Sequence, residues 1–149
     1  MQVGNYSATL NKALMTHTKT SGKPQVELQF TVTHYANGSD WAEIAPQTAY
    51  IWLSMNGTVN PGKSKSGRQV TKEQLQSIGF PEKPEMIHDP ETGEALLVLP
   101  DGIADDAIQL ECYEDNYGGS ATMKWRLKGG GAPRTVTEED VLKFKSMWD

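Results

Sequence analysis

The chain predicts a mainly β domain: a five-stranded OB-fold-like barrel with a short helix between strands 3 and 4 and a C-terminal helix. Three observations predict it. Segments alternating apolar and polar residues recur along the chain, most cleanly at Gln25–His34 and Ala121–Lys128. A helix-start signature, Thr71 followed by Gln74, falls between the third and fourth segments. Val141, Phe144 and Trp148 recur at helical spacing near the end. A β-sandwich would need about seven short strands; a roll or an open mixed sheet is the competing architecture.

The elements follow in order. Tyr6–Thr18 reads as a first strand with patchy alternation, closed by the turn Thr20-Ser-Gly-Lys-Pro24. In Gln25–His34, Val26, Leu28, Phe30 and Val32 share one face, and Glu27, Gln29, Thr31 and Thr33 the other. Asn37-Gly-Ser-Asp40 is a loop. Gln47–Met55 is a third strand, with Ile51, Leu53 and Met55 opposite Tyr50, Trp52 and Ser54. A loop over Gly57–Arg68 precedes the short helix, whose apolar side is Leu75 and Ile78 and which Gly79 ends. Pro81, Pro84 and Pro90 break up Phe80–Pro100, which has no clear assignment; Leu96–Leu99 is a candidate short buried strand outside the five. Ala107–Tyr113 alternates again, Asn116-Tyr-Gly-Gly119 forms a hairpin loop, and the basic strand Ala121–Lys128 follows. Gly129–Pro133 is a hinge. Thr137 caps the last helix, with Glu138, Glu139 and Asp140 near its positive end. The expected organisation is a barrel over residues 1–130, then a hinge and helix over 131–149.

The 149 residues suffice for one domain with a real core, and 37% hydrophobic and 22% charged content fit a globular protein. No apolar run approaches the roughly 20 residues of a membrane helix, and the first residues show no secretory pattern. The single Cys112 suits a reducing compartment, so a cytoplasmic location is expected and no membrane partner.

Net charge is -5, yet Ala121–Lys128 carries Lys124, Arg126 and Lys128 on one face of a strand, with Met123, Trp125 and Leu127 on the other. Such a stripe suits a phosphate backbone. It also suits a charged edge strand, or pairing across the sheet with Glu27 or Glu111. If Ile51 and Leu53 face the core, Tyr50 and Trp52 face outward, where bases stack on aromatic rings. Trp41 and Tyr35 sit close enough in sequence to a loop to join that platform, and Tyr117 marks the tip of the last hairpin. Trp125 belongs with the core.

Gly57-Thr-Val-Asn-Pro-Gly-Lys63-Ser64 matches the P-loop expression but lacks its context: Gly67 works against an immediate helix, and no βαβ alternation surrounds it. Its electrostatic content is a second cationic cluster, Lys63, Lys65, Arg68 and Lys72. No catalytic set is visible. His17, His34 and His88 are scattered, and no spacing resembles a metal site. Cys112 reads as a buried small hydrophobe, and no serine lies in a nucleophile motif. Neither catalysis, nor a metal, nor a cofactor is expected.

Thr20-Ser-Gly-Lys-Pro-Gln-Val-Glu-Leu-Gln-Phe-Thr-Val32, Thr48-Ala-Tyr-Ile-Trp-Leu-Ser54, Leu75-Gln-Ser-Ile-Gly-Phe80 and Tyr117-Gly-Gly-Ser-Ala-Thr-Met-Lys-Trp125 occur in that order. Their succession, over roughly residues 6 to 130, resembles the small OB-fold single-stranded DNA-binding proteins encoded by bacteriophages. The resemblance implies a non-catalytic replication or recombination accessory factor, with Tyr50, Trp52, Lys124 and Arg126 on the binding face. It departs at the end of the chain: such proteins often finish in an acidic tail with a terminal aromatic, whereas Val141–Asp149 is amphipathic and carries Lys143 and Lys145. That helix is a surface for docking on the domain, on a second copy or on a partner.

The expected function is single-stranded DNA binding by Tyr50, Trp52, Tyr117, Lys63, Lys65, Arg68, Lys124, Arg126 and Lys128, with replication or recombination proteins as further partners. Two other functions compete. One is a protein-interaction module or inhibitor of a host system acting through the acidic Asp101–Asp115 region; the other is a P-loop nucleotide enzyme that depends on Lys63.

Overall fold

A computed structural model describes residues 2–117 and 120–128. The alternating segments form strands, and among the described residues the fold is mainly β: one antiparallel sheet of seven strands with one short α-helix. Three long strands come first: β1 (Gly4–His17), β2 (Pro24–Asn37) and β3 (Asp40–Ser54). Helix α1 (Gly67–Ser77) follows, then the short β4 (Met86–His88) and β5 (Ala95–Leu97). β6 (Ile108–Tyr117) and β7 (Ser120–Leu127) complete the sheet. The five-strand count is thus corrected to seven. β4 and β5, of three residues each, are too short for a clear alternation; β5 overlaps the candidate Leu96–Leu99, and the two strands pair with each other inside the proline-rich stretch.

One path through the sheet runs β3-β2-β1-β5-β4, while β6 pairs with β1 farther along and carries β7. β1 is long enough to hold β6 through Gly4–Ala8 and β5 through Leu14–Met15. β3 and β7 bring Cα atoms within 8 Å of each other. Among the described residues no ladder joins them, so the expected closed barrel is not formed by backbone pairing. The expected C-terminal helix, with its hinge, lies outside the described residues.

The core lies on the inner face. Val26, Leu28, Phe30 and Val32 from β2 meet Tyr6, Ala8 and Leu10 from β1, Ile108, Leu110 and Cys112 from β6, and Ile51 from β3. The patchy alternation of β1 has a cause: the register slips between Leu10 and Lys12, and the buried positions change parity to Ala13. β2 and β3 form a longer hairpin than expected, pairing down to Asn37 opposite Asp40, with Gly38 at φ 66° in the tight turn. Pro46 is tolerated because it falls in a break of the β2–β3 register, between Gln47 opposite Val32 and Glu43 opposite His34, on an edge strand.

α1 begins earlier than expected. Ser66, not Thr71, is its cap, the hydroxyl oxygen accepting from the Gln69 N–H at 3.2 Å. Thr71 lies inside the helix, buried, and its Oγ1 donates to the Ser54 carbonyl at 2.6 Å, tying α1 to the end of β3. The helix ends as expected at Gly79, whose φ of 115° turns the chain. The Gly79 and Phe80 N–H groups then reach back to the Gln76 and Leu75 carbonyls.

Candidate nucleic-acid interface

On β3 the inner residues Ala49 and Ile51 are buried, so alternation turns Tyr50 and Trp52 outward, as expected. Tyr50 is 42% and Trp52 55% exposed. Their rings lie nearly parallel, 10° apart, with centroids 5.8 Å apart. The strand register sets Trp52 opposite Glu27 and Tyr50 opposite Gln29. The indole Nε1–H donates to Glu27 Oε1 at 2.8 Å, and Gln29 Nε2 donates to the other carboxylate oxygen at 2.9 Å. Glu27 therefore fixes the indole, and Trp52 stays more than half exposed at the sheet edge beside the stacked Tyr50 ring.

Tyr50 and Trp52 face a concavity of about 470 Å³ at the approach of β3 to β7. Thr48 extends their wall; Tyr113 from β6 and Lys124 from β7 form the opposite one, with Met123 and Trp125 completing the lining. The aromatic pair and part of the cationic stripe thus line one hollow. Trp125 packs against the core, as expected, its ring edge-on to Tyr6 at 5.1 Å, but it is only partly buried and also lines the hollow. Sequence reasoning missed Tyr113 as a lining residue. The signal was present: Tyr113 shares parity with Glu111, on the face opposite the buried Leu110 and Cys112.

Every cation of the stripe is paired, the three of them with two carboxylates, which leaves a net charge of about +1. Lys124 pairs with Asp115 at 2.6 Å, Arg126 with Glu111, and Lys128 with the same Glu111 at 3.2 Å. Of the pairings anticipated, that with Glu111 forms, and Glu27 is occupied by Trp52 instead. The Arg126 guanidinium also lies 4.6 Å from the centre of the Tyr113 ring. Hydrogen bonds from Arg126 and then Lys128 hold the Glu111 carboxyl below its ordinary range, and the hydrogen bond to Asp115 pushes the Lys124 ammonium up.

The second cationic cluster divides. Lys63 and Lys65 border a hollow that shares Trp52, on the side toward α1. Lys65 pairs with Glu73 at 2.8 Å; Lys63 has no ion pair among the described residues. Arg68 is turned away, its Nε donating to the Met55 carbonyl at 3.1 Å and its guanidinium lying against Gly57. It borders a separate hollow with Lys23, and Lys72 borders an apolar one beside Leu75. Arg68 is thus a clasp on the start of the loop and does not join the other two lysines. Lys19 and His17 meet Trp52 from a further side, so three hollows converge on this one indole.

Tyr117 ends β6, and its side chain is outside the described ones. Tyr35 and Trp41 do not join the platform. Tyr35 packs on Tyr6 with centroids 5.0 Å apart, and Trp41 stands exposed beside the β2–β3 turn. The P-loop-like stretch follows an antiparallel edge strand, and its Lys63-Ser64 pair precedes the Ser66 cap instead of opening the helix. Cys112 is buried, and burial pushes its thiol up, away from the reactive thiolate.

Among the described residues no three His, Cys, Asp or Glu side chains are grouped to hold a metal ion, and no helix is long and apolar enough to cross a membrane. No family model, curated protein or solved structure matches this chain.

Proposed function

We propose that this protein binds single-stranded DNA without catalysis, stacking bases on Tyr50 and Trp52 and drawing the backbone past Lys124, Lys63 and Lys65. The observation that carries the proposal is the exposed, nearly parallel Tyr50–Trp52 pair, placed between hollows that lysines border on either side. Rings presented this way stack bases for about 1–3 kcal/mol each, with little sequence preference. The strand path from β3 through β2, β1 and β6 to β7, with α1 after β3, supports an OB-like frame. That frame and the resemblance to phage proteins support a role as a replication or recombination accessory factor in a host cytoplasm, alongside replication or recombination proteins.

Titrating labelled oligo-thymidine at two salt concentrations tests the proposal. Binding at low salt that weakens as salt rises supports it; no binding at low salt contradicts it. A second reading, a protein-interaction module using its acidic surface, draws support from the carboxylates that pair with the β7 cations. It predicts a protein captured in a pull-down while oligonucleotides fail to bind.

A further inference from the structure

The outward face of β6 puts acids where a phosphate-binding surface would ordinarily have none. Glu111 lies directly opposite Arg126 and holds both Arg126 and Lys128; Asp115, two steps along the face beyond Tyr113, holds Lys124. Every cation of the β7 stripe is therefore already satisfied by a carboxylate. A phosphate approaching this surface must displace a carboxylate and also meets its repulsion, so backbone contact alone gains little here. The aromatic pair depends less on charge: Glu27 accepts from the edge of the Trp52 indole, and the stacked Tyr50 and Trp52 rings remain 42% and 55% exposed.

From this asymmetry we infer that Glu111 and Asp115 set the selectivity of the site for single-stranded over double-stranded DNA. The inference rests on the proposed single-strand binding. A duplex keeps its bases stacked inside and offers the protein its phosphates, one charge per about 1.7 Å of axis. It presents nothing to the aromatic pair and meets a stripe in which two carboxylates already hold all three cations and offset most of their charge. A single strand offers free base faces and binds through the rings despite the weak electrostatic gain. The carboxylates thus reject the ligand that depends wholly on charge and spare the one that does not.

The test compares oligo-thymidine with a duplex of equal length, at one low salt concentration, for the wild type and for the Glu111→Gln/Asp115→Asn variant. Circular dichroism checks folding; if the double variant fails to fold, Asp115→Asn alone, which releases only Lys124, takes its place. The expected result is that duplex affinity rises by about tenfold or more and single-strand affinity by less, so that the preference for the single strand falls by roughly threefold or more. An unchanged or increased preference, with single-strand binding intact, overturns the inference while leaving the proposed function standing. If the wild type does not bind oligo-thymidine at all, the proposed function fails first and the inference falls with it.

Discussion

Trp52 carries more of the proposed function than any other described side chain, because three hollows meet on it and its orientation is fixed by Glu27. Trp52→Ala should weaken oligo-thymidine binding by about 5- to 150-fold, the loss of one stacked base, with little change in melting temperature because the ring is exposed. Fluorescence anisotropy checks the first part and thermal melting the second. Glu111 makes a pH prediction. Its carboxyl is held low by Arg126 and Lys128, so its contribution to stability is complete above the ordinary carboxylate range and is lost as pH falls through the lowered folded value. The melting-temperature difference between wild type and Glu111→Gln should therefore be constant above the ordinary carboxylate range and shrink progressively as pH falls below it. A difference that persists undiminished at the acid end contradicts the pairing. Both Trp52's outward direction and Cys112's burial were legible from alternation alone. The partners of Arg126 were legible only as a choice between Glu27 and Glu111, because strand order and register decide between them.

At the scale of elements, legibility depended on whether a strand keeps one parity throughout. β2 does over Val26–Val32, and its two faces are those its alternation predicts. β1 does not, because the slip near Asn11 exchanges its faces midway; a bulge leaves no residue-type signature there. The cap of α1 was misplaced: Thr71 with Gln74 matches the capping-box spacing, but Ser66 with Gln69 matches it too, and Ser66 is the cap. Thr71 is instead held by the Ser54 carbonyl, a contact across elements that local spacing does not encode. Thr71→Val should thus destabilise the protein by about 1–3 kcal/mol, since it leaves that carbonyl without its buried partner. Urea unfolding monitored by circular dichroism measures it, and a change below a few tenths of a kcal/mol would remove Thr71 from the link between α1 and β3.

At the scale of the molecule, a single core beneath the sheet holds in place the strands that carry the interface. Phe30 is fully buried among residues of that core, and Phe30→Ala should cost about 3–5 kcal/mol of stability. The mainly β class was readable because the long strands are amphipathic. The approach of β3 to β7 was not, since it depends on how the whole sheet curls, and with it went the place of Tyr113 in the hollow. The central claim is that bases stack at the Tyr50–Trp52 edge. Its most direct test is to follow the indole N–H resonances of the four tryptophans by NMR while oligo-thymidine is added, with Trp52→Phe assigning the peak. Trp52 should show a large shift or broadening, while Trp41, beside the β2–β3 turn, stays unmoved. A Trp52 resonance that is unchanged when anisotropy shows the DNA bound would contradict it.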